Sequence, residues 1–117
     1  MWITPEEHAQ YQRSVVCQVA GRLGLTEPNL YTDSDLLFRI EAIDYEVLLA
    51  MQQFRTTYRT WYAKAQEVER LVNENKDATV ARIEVTELRK RRDHERNLLV
   101  RLLDLRYPAH SSSNSGV

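Results

Sequence analysis

From residue 34 to residue 74 the chain contains neither glycine nor proline, and its apolar residues keep a helical rhythm throughout. Leu36, Ile40, Ile43, Val47, Ala50 and Phe54 recur in steps of four and three. After one extra step of four, Tyr58, Trp61, Ala65, Val68 and Val72 resume the alternation. This spacing predicts a heptad seam with a single stutter, which locally unwinds a supercoil. A helix of that length spans about 60 Å. A chain of 117 residues cannot build a core so long, so the helix must lie against another long helix, from the same chain or from a copy.

The only candidate within the chain follows a polar break, Asn73-Glu74-Asn75-Lys76-Asp77. Asp77 can cap a helix over 78–106, which Pro108 ends. The break lacks glycine and proline, so a continuous helix is the rival reading. Upstream, Thr4, Pro5 and Glu7 write a capping box with proline at the first helical position. Gly24 supplies a left-handed stop, giving a first helix over about 5–23. Residues 24–33 form a connector with a turn at Pro28 and Asn29. The expected fold is therefore all-α: one helical domain over 1–108, with helices at about 5–23, 34–74 and 78–106. This three-helix arrangement is dominated by a long antiparallel coiled-coil-like helical hairpin, with the first helix along one end. Residues 109–117 read as a flexible Ser-rich tail.

The formal charge of −1 gives no strong overall pull toward nucleic acid or anionic lipid. Cys17 is the only cysteine, which excludes an intrachain disulfide and fits a reducing compartment; between Val16 and Val19 it reads as an inert packed thiol. No leader of basic-then-apolar type opens the chain and no apolar stretch approaches membrane-spanning length. The expected location is cytoplasmic or within a soluble assembly, without membrane contact.

Residue spacing supports none of the common catalytic, metal-binding or DNA-reading motifs. Residues 19–30 resemble a helix-turn-helix superficially, but Pro28 interrupts the second helix and Asp33 falls where a branched apolar residue belongs. His8, His94 and His110 lie on separate elements, and no Glu-x-x-His spacing of the di-iron bundle type occurs. There is no glycine-rich phosphate loop and no nucleophile elbow. No catalytic residue, metal ligand or cofactor is expected, and the chain reads as a non-enzyme.

The 78–106 helix poses the sharper question. Its apolar residues cluster at two ends, while residues 89–97 are polar without exception. A turn at 75–77 brings Arg91 and His94 near Trp61 and Tyr58. In one reading, arginine stems pack flat on the rings of Tyr58, Trp61 and Tyr62 and make a polar centre that fixes register. In another, Arg89, Lys90, Arg91, Arg92 and Arg96 face outward as phosphate contacts of a nucleic-acid-binding regulator. In a third, this basic stretch meets the acidic cluster of Glu41, Asp44 and Glu46 on another subunit. Trp2, Tyr58, Trp61 and Tyr62, with the acidic cluster, are the candidate partner interface, because aromatic residues are favoured at interfaces. The functional expectation is a non-catalytic helical adaptor, chaperone or structural subunit. It would act through protein–protein contacts in a homo-oligomer or a larger assembly, such as a small component of a phage particle or secretion apparatus. A nucleic-acid-binding regulator using the 89–96 stretch is the alternative.

Overall fold

A computed structural model describes residues 3–108, and every regular element among them is helical. Four α-helices follow one another: α1 (Pro5–Arg22), α2 (Asp33–Ile43), α3 (Tyr45–Asn73) and α4 (Thr79–Arg106). A single 3-10 turn, Pro28–Leu30, interrupts the connector between α1 and α2. The molecule measures 55 × 28 × 27 Å, its long axis set by the closely packed pair α3 and α4. Trp2 and the Ser-rich segment 109–117 lie outside the described residues.

The helix ends follow from local chemistry. Thr4 accepts from the Glu7 amide at 3.1 Å while the Glu7 carboxylate accepts from the Thr4 amide at 2.8 Å, closing the capping box. At the other end of α1, Gly24 adopts φ 97. The amides of Gly24 and Leu25 reach back to the carbonyls of Gly21 and Ala20, the Schellman arrangement that needs a left-handed residue. The same device closes α3. Asn75, at φ 57, stands where a glycine would be expected. Its amide bonds to Val72 and that of Lys76 to Leu71, and asparagine tolerates this conformation better than other side chains do. The polar break at 73–77 is thus a true turn, and the rival continuous helix does not form.

The expected helix over 34–74 is corrected: it is two helices, so the three-helix arrangement becomes four. Asp44 separates them with an extended backbone, φ −157 and ψ 98. Its amide still closes the last turn of α2 onto Ile40, at 2.8 Å, while its carboxylate caps α3 by accepting from the Val47 amide at 3.2 Å. The break turns Ile43, an expected seam residue, outward to 44 % exposure.

It also removes the expected stutter. The buried face of α3 runs Val47, Met51, Phe54, Tyr58, Trp61 and Ala65, an unbroken alternation of four and three. Met51, fully buried, takes the place assigned to Ala50. On α4 the matching stripe is Ala81, Val85, Leu88, Arg92, Glu95 and Leu99, buried or half-buried. Lys64 meets Glu84 at 3.2 Å near the turn, and Arg106 meets Glu46 at the far end. Helix α1 adds Val15, Val16, Val19 and Ala20 to the core, and α2 adds Leu36 and Ile40. Arg13 ties the connector to α1, donating to Asp33 and to the carbonyls of Pro28, Asn29 and Tyr31.

Candidate interaction surface

Two residues of the polar centre of α4, Arg92 and Glu95, face the core. Arg92 extends across two rings of α3, its guanidinium carbon 4.3 Å from the centroid of Trp61 and 5.5 Å from that of Tyr58. Asp93 accepts from the same guanidinium at 2.9 Å. The residue on the rings is Arg92, where the turn at 75–77 places Arg91 and His94; His94 is exposed. The physical reason is helical phase: Arg92, four residues after Leu88 and three before Glu95, falls on the face of α4 that packs on α3, whereas Arg91 and His94 fall outside it. Next to Arg92, Glu95 is buried. One carboxylate oxygen faces Arg91 at 3.4 Å, and the other has no hydrogen-bond partner.

Tyr58, Trp61 and Tyr62, the expected partner-facing rings, are enclosed by the chain itself. His8 stacks on Tyr62 with centroids 4.2 Å apart and planes 4° from parallel, and Tyr11 stacks on Tyr58 at 4.6 Å. The Tyr62 hydroxyl donates to the Ile3 carbonyl at 2.8 Å and accepts from Gln66 at 2.9 Å. Burial disfavours the charged form of His8, and the nearby Arg59 repels it, so its pKa falls below the ordinary imidazole value. The sequence carried no sign of this stack, since His8 stands alone in its segment.

Two members of the acidic cluster are engaged within the chain. Arg106 donates from one nitrogen to both Asp44 oxygens, each at 3.0 Å, and from the other to Glu46. The Tyr107 hydroxyl donates to Asp44 at 2.8 Å. Burial raises the Asp44 pKa, but the hydrogen bonds from Tyr107, Arg106 and the Val47 amide outweigh it and hold the carboxyl below the ordinary range. Arg22 locks the same end, donating to the Tyr107 carbonyl at 2.8 Å and to Asp104 at 2.8 Å. Asp44 is therefore a junction of α2, α3 and α4, a role that Arg106 and Tyr107 reveal only in three dimensions. Glu41 is exposed.

The basic stretch is largely countered locally. Lys90 pairs with Glu87, Arg91 with Glu95 and Arg92 with Asp93. Arg89 and Arg96 are exposed on α4. Cys17 is half-buried against the core. Among the described residues no group of three or more His, Cys, Asp or Glu is placed to hold a metal ion. Between α1 and the second helix the chain is a 3-10 turn and loop, without the α-helix that a helix-turn-helix requires.

Exposed large apolar residues lie on the connector and α2, with Leu30 at 75 % and Phe38 at 72 %, and on the long pair. Helices α1 and α2 pack chiefly on each other and on α3. The residues of α4 that border α1 in a shared groove are Arg96, Leu99, Val100 and Leu103. Helical periodicity turns Val80, Leu98 and Leu105 toward the opposite flank of α4, where they are 70, 46 and 76 % exposed. Ile83 is 59 % exposed and, on α3, Leu49 is 50 % exposed. No helix among the described residues is long and apolar enough to cross a membrane.

Comparison of this chain with protein-family models, with curated proteins and with solved structures found no match.

Proposed function

We propose that the protein is a non-catalytic helical adaptor or structural subunit, acting through protein–protein contacts along the flank of α4 that α1 leaves open. In this reading α3 and α4 form an antiparallel coiled-coil-like hairpin, a rod stiffened on one side by α1 and α2 and available on the other. The observation that carries it is the exposure of Val80, Leu98 and Leu105 on one helix face. Single exposed apolar residues are ordinary on protein surfaces, but Leu98 and Leu105, one heptad apart on one face, form an apolar pair that a partner can cover. The acids Glu87, Asp93 and Glu95 interleaved with Lys90, Arg91 and Arg92 favour this reading over phosphate recognition, because they set like charge beside a phosphate backbone.

The test is the mass of the particle isolated from the native source through this chain. The adaptor reading expects more than one polypeptide per particle at fixed stoichiometry, and release of the chain by Leu98→Arg with helicity unchanged by circular dichroism. A particle containing one copy of this chain and nothing else opposes the reading.

A further inference from the structure

On the open flank of α4, the residues Val80, Glu84, Glu87, Arg91, His94 and Leu98 follow one another in steps of four, three, four, three and four, and therefore line one face. All six are exposed. Their order is apolar, acid, acid, then base, imidazole, apolar. Reversed, the same list is complementary to itself at every position: Val80 falls opposite Leu98, Glu84 opposite His94, and Glu87 opposite Arg91. A pattern complementary to its own reversal is what a two-fold, isologous contact between antiparallel helices requires.

We propose that this face docks a second copy of the chain, α4 against α4, across a two-fold axis passing between Glu87 and Arg91. The inference rests on the reading of this flank as a protein-contact surface and names its occupant. The existing intrachain partners do not use up the charges. Glu84 meets Lys64 at 3.2 Å, Glu87 meets Lys90 at 3.6 Å and Arg91 meets Glu95 at 3.4 Å. The side chains of Glu84, Glu87 and Arg91 nevertheless stay 50, 68 and 65 % exposed. Each carboxylate accepts several hydrogen bonds and a guanidinium carries five donors. Across the axis, the two Glu87–Arg91 pairs set direction and register, and the Val80–Leu98 contacts at either end supply apolar burial. A parallel arrangement places Glu87 against Glu87 and Arg91 against Arg91, so the charges select the antiparallel one.

Sedimentation equilibrium of the purified chain tests this. The expected result is a monomer–dimer equilibrium that shifts toward monomer as salt rises. Glu87→Arg and Arg91→Glu each weaken the dimer by about tenfold or more, because each sets like charges opposite one another. An equimolar mixture of the two variants restores it as a heterodimer. In a second measurement, the double variant Val80→Cys, Leu98→Cys is oxidised by dissolved oxygen. The two positions lie about 27 Å apart along one helix, so a disulfide between them can form only between copies, and the expected product is a covalent dimer linked 80 to 98. A chain that stays monomeric, a dimer indifferent to both charge reversals, a mixture that does not recover, or oxidation without an 80–98 link overturns self-docking. A monomer that still occupies fixed-stoichiometry particles in its native source ends this inference and leaves the adaptor reading standing.

Discussion

The guanidinium of Arg92 lies over the indole of Trp61, 4.3 Å from its centroid, so the most polar stretch of α4 is anchored on the most aromatic stretch of α3. The arginine stem fills a heptad position that an aliphatic residue would otherwise take, and its charge is answered by Asp93 on the same helix. Such a position contributes register as well as stability, since sliding α4 by one turn leaves a buried cation without its ring.

Replacing Arg92 by alanine removes both the cation–π contact and the stem. We expect a loss of about 1–2 kcal/mol, read as a lower urea midpoint with little change in the slope of unfolding. Arg92→Lys recovers part of the loss and Arg92→Glu deepens it. An alanine variant as stable as the parent means that the ring contact contributes nothing to folding.

Asp44 is expected to set stability in acid. Its folded-state pKa is depressed and its unfolded-state value is ordinary, so the unfolded chain takes up the proton first as pH falls. The contribution is whole above the ordinary carboxylate range and is lost as pH drops through the folded-state pKa. Asp44→Asn keeps a capping oxygen but loses the charge that Arg106 and Tyr107 address. Its thermal midpoint should lie below the parent's at neutral pH, and the gap should close in strong acid. A gap independent of pH contradicts this role.

His8 works in a higher window. Desolvation against Tyr62, reinforced by Arg59, depresses its pKa, so the folded chain resists protonation that the unfolded chain accepts. Stability is whole above the ordinary imidazole value and declines as pH falls from there through the folded-state pKa. NMR titration should find the His8 midpoint below that of a free imidazole. In His8→Phe, which keeps an aromatic stack without a titrating group, the decline over this window should be reduced.

Glu95 is the place where substitution should strengthen the chain. It is buried with one oxygen unpartnered, and its partner Arg91 is mostly exposed. Glu95→Leu extends the apolar seam toward Leu99 and frees a charge from burial. We expect a gain of about 1 kcal/mol or more in equilibrium unfolding; a loss of that size assigns the carboxylate a structural role that its contacts do not show.

Reading these features from sequence succeeded where the signal is local. Thr4, Pro5 and Glu7 announce α1, Gly24 its end, and Pro108 the end of α4, because each acts on backbone groups within a few residues of itself. The break at Asp44 escaped because it hides inside an apparently continuous pattern: Ile40 and Val47 are seven apart and both buried, so the rhythm survives the interruption. An aspartate three residues before Val47, with Glu46 in the following turn, is a cap signature, but Arg106 and Tyr107, which fix Asp44 from another helix, cannot be seen from its neighbourhood. With Met51 in place of Ala50 on the seam, the extra step of four falls at the break between α2 and α3, so neither helix carries a stutter. The polar character of the centre of α4 was plain from residues 89–97, whereas the identity of the ring-packing arginine depends on the phase of α4 against α3, which four consecutive basic residues, 89–92, leave open. Tyr58 and Tyr62 are buried against Tyr11 and His8 of α1, and Trp61 under Arg92 of α4, tertiary relationships without a short-range cue.

One flank of α4 is the surface through which we propose that this chain works. Amide hydrogen exchange resolves it, comparing the isolated chain, diluted until it no longer associates, with the chain in its native particle. We predict that protection rises on assembly along residues 80–105 and stays unchanged in α1. Protection gained only in α1 or α2, with α4 exchanging as it does in isolation, contradicts the account.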